Sequence, residues 1–303
     1  MPQEFDFIDW IRSRQTASAF VPVPAGDDLA VLQLPGDCRL LVGADQVLDG
    51  VHVDSAIHAP RDIGRKAMNR NLSDCAAMAC LPAAALVTFA LPQDSGIEFA
   101  RELYLGIEAA GAAFDCPIIG GDTGSWPGKL AVSVTILGNA AGIAPVRRSG
   151  AMPGDGIYVT GPLGGSILGR HMTFTPRISL ARELAQIAIV HVMIDLSDGL
   201  SRDLAHLCRE SCVGAVVQAD KIPIHGDAET LAQRDSISAI DHALHDGEDY
   251  ELLFAAPPTD ELRSVIGKLG IYQIGLITED KGVSIDRDGS RNPLRPQSWE
   301  HPL

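Results

Sequence analysis

Apolar and polar positions along the chain predict short strands interleaved with helices. Residues 29–34 (LAVLQL) and 39–44 (RLLVGA) read as strands parted by the turn Pro35–Gly36–Asp37. Residues 61–80 are alanine-rich without internal proline and predict a helix, and the apolar run 83–91 predicts a buried strand that stops at Pro92. A helix over 94–114 and strands at 116–120 and 129–138 follow. Between 139 and 155 the composition shifts to small and turn-forming residues, which places a boundary there and divides the chain into residues 1–140 and 141–303. Beyond it the pattern predicts a strand at 156–161, a glycine turn at 161–165, a helix over 178–190 and a strand ending at Ile194–Asp195. Then come a helix at 199–210, strands at 214–219 and 248–256, a helix over 258–269, and strands at 271–278 and 282–286. The first residues predict a short amphipathic helix carrying Phe5, Ile8 and Ile11. Strands both paired and alternating with helices give a mixed α/β (α+β) fold in two domains.

Charge narrows the partners. Twenty-four Lys and Arg stand against 39 Asp and Glu, a net charge of −15, so most of the surface repels nucleic acid and anionic membrane. An anionic ligand would need added positive charge, and metal ions are the obvious source. No stretch reaches the roughly 20 apolar residues of a membrane span. Glu4, Asp6 and Asp9 do not suit a signal peptide. The cysteines at 38, 75, 80, 116, 208 and 212 form no C-x-x-C pair, which suits free thiols in a reducing cytoplasm.

The candidate chemistry is a series of aspartates at strand ends and turns: Asp27–Asp28 in AGDDLAVL, Asp45 in VGADQVLDGVHV, Asp74 in NRNLSDCAAM, Asp122 in IIGGDTG, and Asp195 and Asp198 in MIDLSDGL. Any one of them could be a turn or helix-cap residue, as could Ser73 and Ser197 beside them. Together they point to hard oxygen ligation, because gathered carboxylates repel one another without cations between them. Gly26, Gly120, Gly121 and Gly199 beside them let backbone amides approach phosphate oxygens. Neither a G-x-x-x-x-G-K-[ST] loop nor G-x-G-x-x-G occurs, which disfavours P-loop kinases and Rossmann dehydrogenases.

The ordered set GDDLAVL, ADQVLDGVHV, NLSDCAAMACLP, IIGGDT, RSGAMPGDGIYVTGPLG, IDLSDGLSRDLAHL and DGEDYELLF, spanning about residues 26–256, resembles the bacterial thiamine-monophosphate kinase family. This family lies within the aminoimidazole-ribonucleotide-synthetase-like superfamily. The resemblance implies a homodimer joined through the sheets of its N-terminal domains, with ATP in a long cleft that the C-terminal α/β domain completes. It implies γ-phosphoryl transfer from ATP to thiamine monophosphate, with several Mg²⁺ ions held by Asp28, Asp45, Asp74, Asp122, Asp195 and Asp198. It further implies nucleotide contacts from Gly121, Asp122, Arg148, Ser197 and Tyr104, and substrate contacts from His52, Glu248 and Trp299. No residue is required as acid or base, since the acceptor phosphate is already deprotonated near neutral pH.

The chain departs from the family pattern in three places. Gly43 and Ala44 stand before Asp45 where hydroxyl residues are usual, the segment between the glycine turn and Pro176–Arg177 is short, and Asp246 replaces a glycine ahead of the GEDYEL segment. These departures keep two alternatives open: a superfamily enzyme that activates a different small-molecule acceptor, and a non-catalytic nucleotide-binding protein. Superfamily branches in selenium handling and hydrogenase maturation use a cysteine near a chain end, whereas the outermost cysteines here are Cys38 and Cys212.

Overall fold

The computed structural model describes residues 4–36, 38–187 and 189–297. Helix α1 (Glu4–Ser13) opens the chain. The first sheet contains β1 (Ala30–Gln33), β2 (Arg39–Leu48), β3 (Leu81–Pro92), β4 (Ile118–Trp126) and β5 (Ala131–Asn139), in the order β1-β2-β5-β3-β4. Helices α2 (Pro60–Ala77) and α3 (Gly96–Ala112) cover one face. Strand β5 shows why: Val132, Val134, Ile136 and Gly138 alternate inward, the period-2 signature of a sheet with one covered face.

The second sheet follows β6 (Gly156–Val159). Helices α4 (Arg170–Thr173) and α5 (Ile178–Ile187) precede β7 (Val192–Asp195), and α6 (Leu200–Ser211) precedes β8 (Gly214–Gln218). Then come α7 (Gly226–Asp235), α8 (Ala239–His245), β9 (Leu252–Ala256), α9 (Asp260–Ile266), β10 (Tyr272–Thr278), β11 (Gly282–Arg287) and β12 (Ser290–Pro293). The strand order is β12-β11-β8-β10-β6-β9-β7, antiparallel apart from the β8–β11 pair. Strands β6 and β9, and β7 at the edge of the sheet, are buried along their whole length, as expected of strands covered on both faces.

One apolar core spans both sheets: Met68 and Leu72 of α2 share a cluster with Ala181 and Leu184 of α5 and with Tyr158 and Phe254 of the second sheet. Helix α2 is therefore the central pillar. Pro60 opens it at a position where a missing N–H is harmless. Its contact with α3 is backbone-close: a Cβ on Gly64 would lie 2.0 Å from the Leu103 carbonyl oxygen, and one on Gly106 would lie 2.0 Å from that of Arg61. Its other side carries Lys66, Asn69 and Ser73, all buried, because this side forms the floor of a polar cleft between the two sheets.

The pattern of residues misplaced several elements. Strand β4 runs on through Gly120–Trp126, beyond the expected end at residue 120, and its side chains are exposed from Ile119 onward. The expected strand over 248–256 starts only at Leu252, because Glu248 and Tyr250 adopt φ of 51° and Gly247 adopts 74°, which breaks the extended backbone. Helices α7 and α8 were not anticipated. The apolar side chains of α1 are not packed away: Phe7, Trp10 and Ile8 remain exposed, and Phe7 stacks on Trp10.

Candidate active site

A cavity of about 680 Å³ opens between the sheets. Asp28 enters it from the turn before β1, Asp45 from β2, Asp74 from the last full turn of α2, Asp195 from the end of β7, and Asp198 from the turn that follows. Oxygens of Asp28, Asp74 and Asp195 all lie within 4.8 Å of one another. Ser73 and Asp74 are interior α2 residues rather than caps, and the Ser73 hydroxyl donates to Asp195 at 2.5 Å. At the start of α6 the capping role falls to Asp203, whose carboxylate accepts from the backbone N–H groups of Asp198 and Gly199 at 3.2 and 3.0 Å.

Electrostatics mark the three converging acids as unusual. Burial is the largest influence raising Asp195, to about 7, with the Asp28 charge next. Asp74 is pushed well above the carboxylate range by burial and then by Asp45, Asp195 and Asp28. Burial also raises Asp28, with Arg148 opposing it through bonds of 3.1 and 2.7 Å. Three hard oxygen donors that repel one another in a polar cavity fit a divalent cation such as Mg²⁺.

A second group stands at the other end, with Arg70, Glu248, Tyr250 and His52 on the wall and Lys66 buried behind them. Arg70 on α2 donates from Nε to Asp45 at 3.2 Å. Lys66, one turn earlier and fully buried, binds Glu248 at 2.7 Å and the His52 carbonyl at 2.8 Å. Burial lowers Lys66 to about 8 although Glu248 opposes this. Burial alone would raise Glu248, but Lys66 overrides it and holds the carboxyl below its usual value. The Tyr250 hydroxyl donates to Glu248 at 3.2 Å, and the His52 ring accepts the Leu48 N–H at 3.1 Å. The left-handed backbone at Glu248 and Tyr250 aims both side chains into the cavity that His52 also lines.

Asp28, Asp45, Asp74, Asp195, Asp198, Arg148, Ser197, His52 and Glu248 thus meet at one cavity. Gly121, Asp122 and Tyr104 do not line it. Asp122 pairs laterally with Thr88, Thr88 with Ser133, and Ser133 with Gln46. It therefore shares the open face of the sheet with Gln46, whereas Asp45 points to the helix-covered face. Three strand spacings separate Asp122 from β2, about 14 Å. Gly121 packs so closely on β3 that a Cβ would lie 1.7 Å from the Val87 oxygen. Tyr104 is exposed on α3. Trp299 lies outside the described residues. Lys66, Arg70 and Asp203 were missed by sequence reasoning; the signal was the four-residue spacing Lys66–Arg70–Asp74, which puts two cations and a ligand on one helix face.

Comparison with known proteins agrees with this geometry. Residues 26–140 match the family model of the AIR synthase related protein, N-terminal domain, and residues 163–288 match that of the C-terminal domain. The chain is 42% identical over 264 residues to the thiamine-monophosphate kinase of Rhodopirellula baltica, covering 85% of this chain and 83% of that one. It is 30% identical over 318 residues to that of Aquifex aeolicus, covering 98% and 97%. The chain belongs to the thiamine-monophosphate kinase family. Among solved structures, one described as AaThiL complexed with AMPPCP and TMP superposes with a TM-score of 0.86 at 29% identity, covering 99% of this chain and 97% of that one. The Stenotrophomonas maltophilia family member gives 0.73 at 34% identity, over 95% and 98%. Hydrogenase maturation protein HypE, at 17% identity and a TM-score of 0.73, shares the fold.

Proposed function

We propose that this protein phosphorylates thiamine monophosphate with ATP, giving thiamine diphosphate and ADP. The observation that carries this reading is the convergence of Asp28, Asp74 and Asp195 within 4.8 Å, in a cavity that Asp45 and Asp198 also line. Mg²⁺ bound at such carboxylates would supply neutralisation of phosphate charge. Asp28, Asp45, Asp74, Asp195 and Asp198 would hold it here. The chain's own residues do the rest. Arg148, clamped on Asp28, puts a fixed positive charge beside the acid triad, and Ser197 lies on the same wall. His52 and Glu248 form the acceptor end, where the Glu248 carboxylate suits a cationic thiazolium ring. No base is needed, since a phosphate oxygen attacks in its ionised form.

On this reading residues 1–140 bind nucleotide and metal and form the dimer, and residues 141–303 complete the cleft. We assign Asp122, Gly121 and Tyr104 to the cleft of a second copy. Support comes from the open face of β4: Asp122 cannot reach Asp45 within one chain, and Ile119 and Trp126 lie exposed around it. A homodimer joined through these faces would bring each Asp122 toward the other subunit's nucleotide. The free cysteines suit the cytoplasm, and no described helix is long and apolar enough to cross a membrane.

The test is to incubate pure protein with ATP, Mg²⁺ and thiamine monophosphate, and to follow ADP and thiamine diphosphate by chromatography. Both products should appear in equal amounts and only with Mg²⁺. Nucleotide binding without turnover, or turnover only with another acceptor, would overturn the proposal.

A further inference from the structure

Arg70 has no role in the reading so far, yet it is the cavity cation with the most unused hydrogen-bonding capacity. The other arginines on the wall are committed: Arg148 grips Asp28 through two nitrogens, Arg12 grips Glu210 through two, and Arg209 approaches Asp9 and Glu210. Lys66 holds Glu248 and the His52 carbonyl. Among the described residues Arg70 uses Nε alone, in a 3.2 Å bond to Asp45, while its Nη1 is buried without a hydrogen-bond partner. A buried, unpaired, charged donor costs about 1–3 kcal/mol or more, so a partner missing from the free protein is the economical explanation. The part of the side chain that water still reaches, 14%, belongs to the cavity wall.

Its position indicates what that partner is. Arg70 stands one helical turn from Asp74 and one from Lys66, between the acid triad and the Glu248–Tyr250 end. An acceptor with a cationic ring at Glu248 and a phosphate directed at the triad must pass that phosphate across Arg70. Gly43 and Ala44 ahead of Asp45 supply no side-chain oxygen, and Arg70 is paired with Asp45 itself. We propose that the Arg70 guanidinium binds the phosphate dianion of the acceptor and so selects a phosphorylated acceptor over the free alcohol. This rests on the kinase reading and extends it, giving one protein-borne cation a task next to the Asp45 wall. A planar fork with free N–H groups matches phosphate geometry, which a lysine does not reproduce.

The experiment measures binding rather than turnover. Thiamine monophosphate and thiamine are titrated calorimetrically, with Mg²⁺ and without nucleotide, into wild type, Arg70→Gln and Arg70→Lys. Wild type should favour the monophosphate by at least about tenfold. Arg70→Gln should lose most of that preference with thiamine affinity within about twofold, and Arg70→Lys should fall between. Stabilisation by Mg²⁺–AMPPCP should persist in each variant and reports that the nucleotide cleft is folded. If Arg70→Gln does not fold, Arg70→Met, which fills the same buried space and leaves Asp45 in place, is read in the same way. An unchanged preference in a neutral variant, or equal loss for both ligands, overturns the proposal. Absence of turnover by wild type with ATP and thiamine monophosphate overturns the kinase reading instead, and this inference with it.

Discussion

Replacing Asp74 by Asn should stabilise the metal-free protein while abolishing its response to Mg²⁺. The Asp74 carboxylate makes no hydrogen bond among the described residues, so the amide loses no side-chain partner and relieves repulsion from Asp45, Asp195 and Asp28. Asp195 sets the scale: its carboxyl sits near 7 instead of 3.8, a difference that corresponds to roughly 4 kcal/mol at 1.4 kcal/mol per pH unit. Desolvation accounts for the largest share, and the cavity is open to water, so we assign about 1–2 kcal/mol to the repulsion that Asp74→Asn removes. For a chain of this size that is a rise of roughly 2–4 °C in Tm. The pH dependence has a definite sign. A carboxyl raised in the folded state keeps its proton where the unfolded chain has lost it, so wild-type stability declines as pH climbs from about 4 through 7. The variant should therefore match wild type near pH 4 and exceed it at pH 8, in EDTA, by calorimetry or fluorescence melting. With Mg²⁺ and AMPPCP at pH 8, wild type should gain stability by ligand linkage and the variant should not. An equal gain at both pH values, or none at pH 8, would refute the electrostatic account of this cluster.

Asp45→Asn should slow turnover by at least about tenfold in a coupled ADP assay at saturating Mg²⁺, since a charge is lost from the site; wild-type rates would remove Asp45 from it. Asp74→Asn and Asp122→Asn should each be inactive alone, yet mixed after co-expression they should recover up to about a quarter of wild-type activity. Half the dimers are then hybrids, each with one site built from two intact contributors, and no recovery would place Asp122 in its own chain's site. Gly64→Ala should destabilise the fold by at least about 2 kcal/mol in urea unfolding, because its Cβ meets the Leu103 carbonyl oxygen at 2.0 Å; a neutral result would mean that α2 and α3 are free to part.

Much of the fold could be read from periodicity, because strands such as β5 and helices such as α3 each bury one face and repeat accordingly. The pattern failed where backbone conformation, not burial, governs. The 248–256 stretch reads as a strand since it leads into the apolar run LLFAA, but positive φ at residues 247, 248 and 250 turns its first part into a loop that presents Glu248 and Tyr250 to the cleft. Helix α2 carries polar residues whose setting periodicity does not give: Lys66, Asn71 and Ser73 are buried, with partners on the elements packed against the helix. The identity of the acids was legible because each sits in a short motif of fixed local geometry. Their grouping was only partly so, since motifs on neighbouring strands can face opposite sides of one sheet. Asp45 and Asp122 show the consequence: both follow small residues on strands of the same sheet, yet Asp45 faces α2 and Asp122 faces outward. Linear order puts the candidate acids in sequence but carries no information on which copy of the chain each would serve, and the outward direction of Asp122 is the observation behind its proposed place in a second copy.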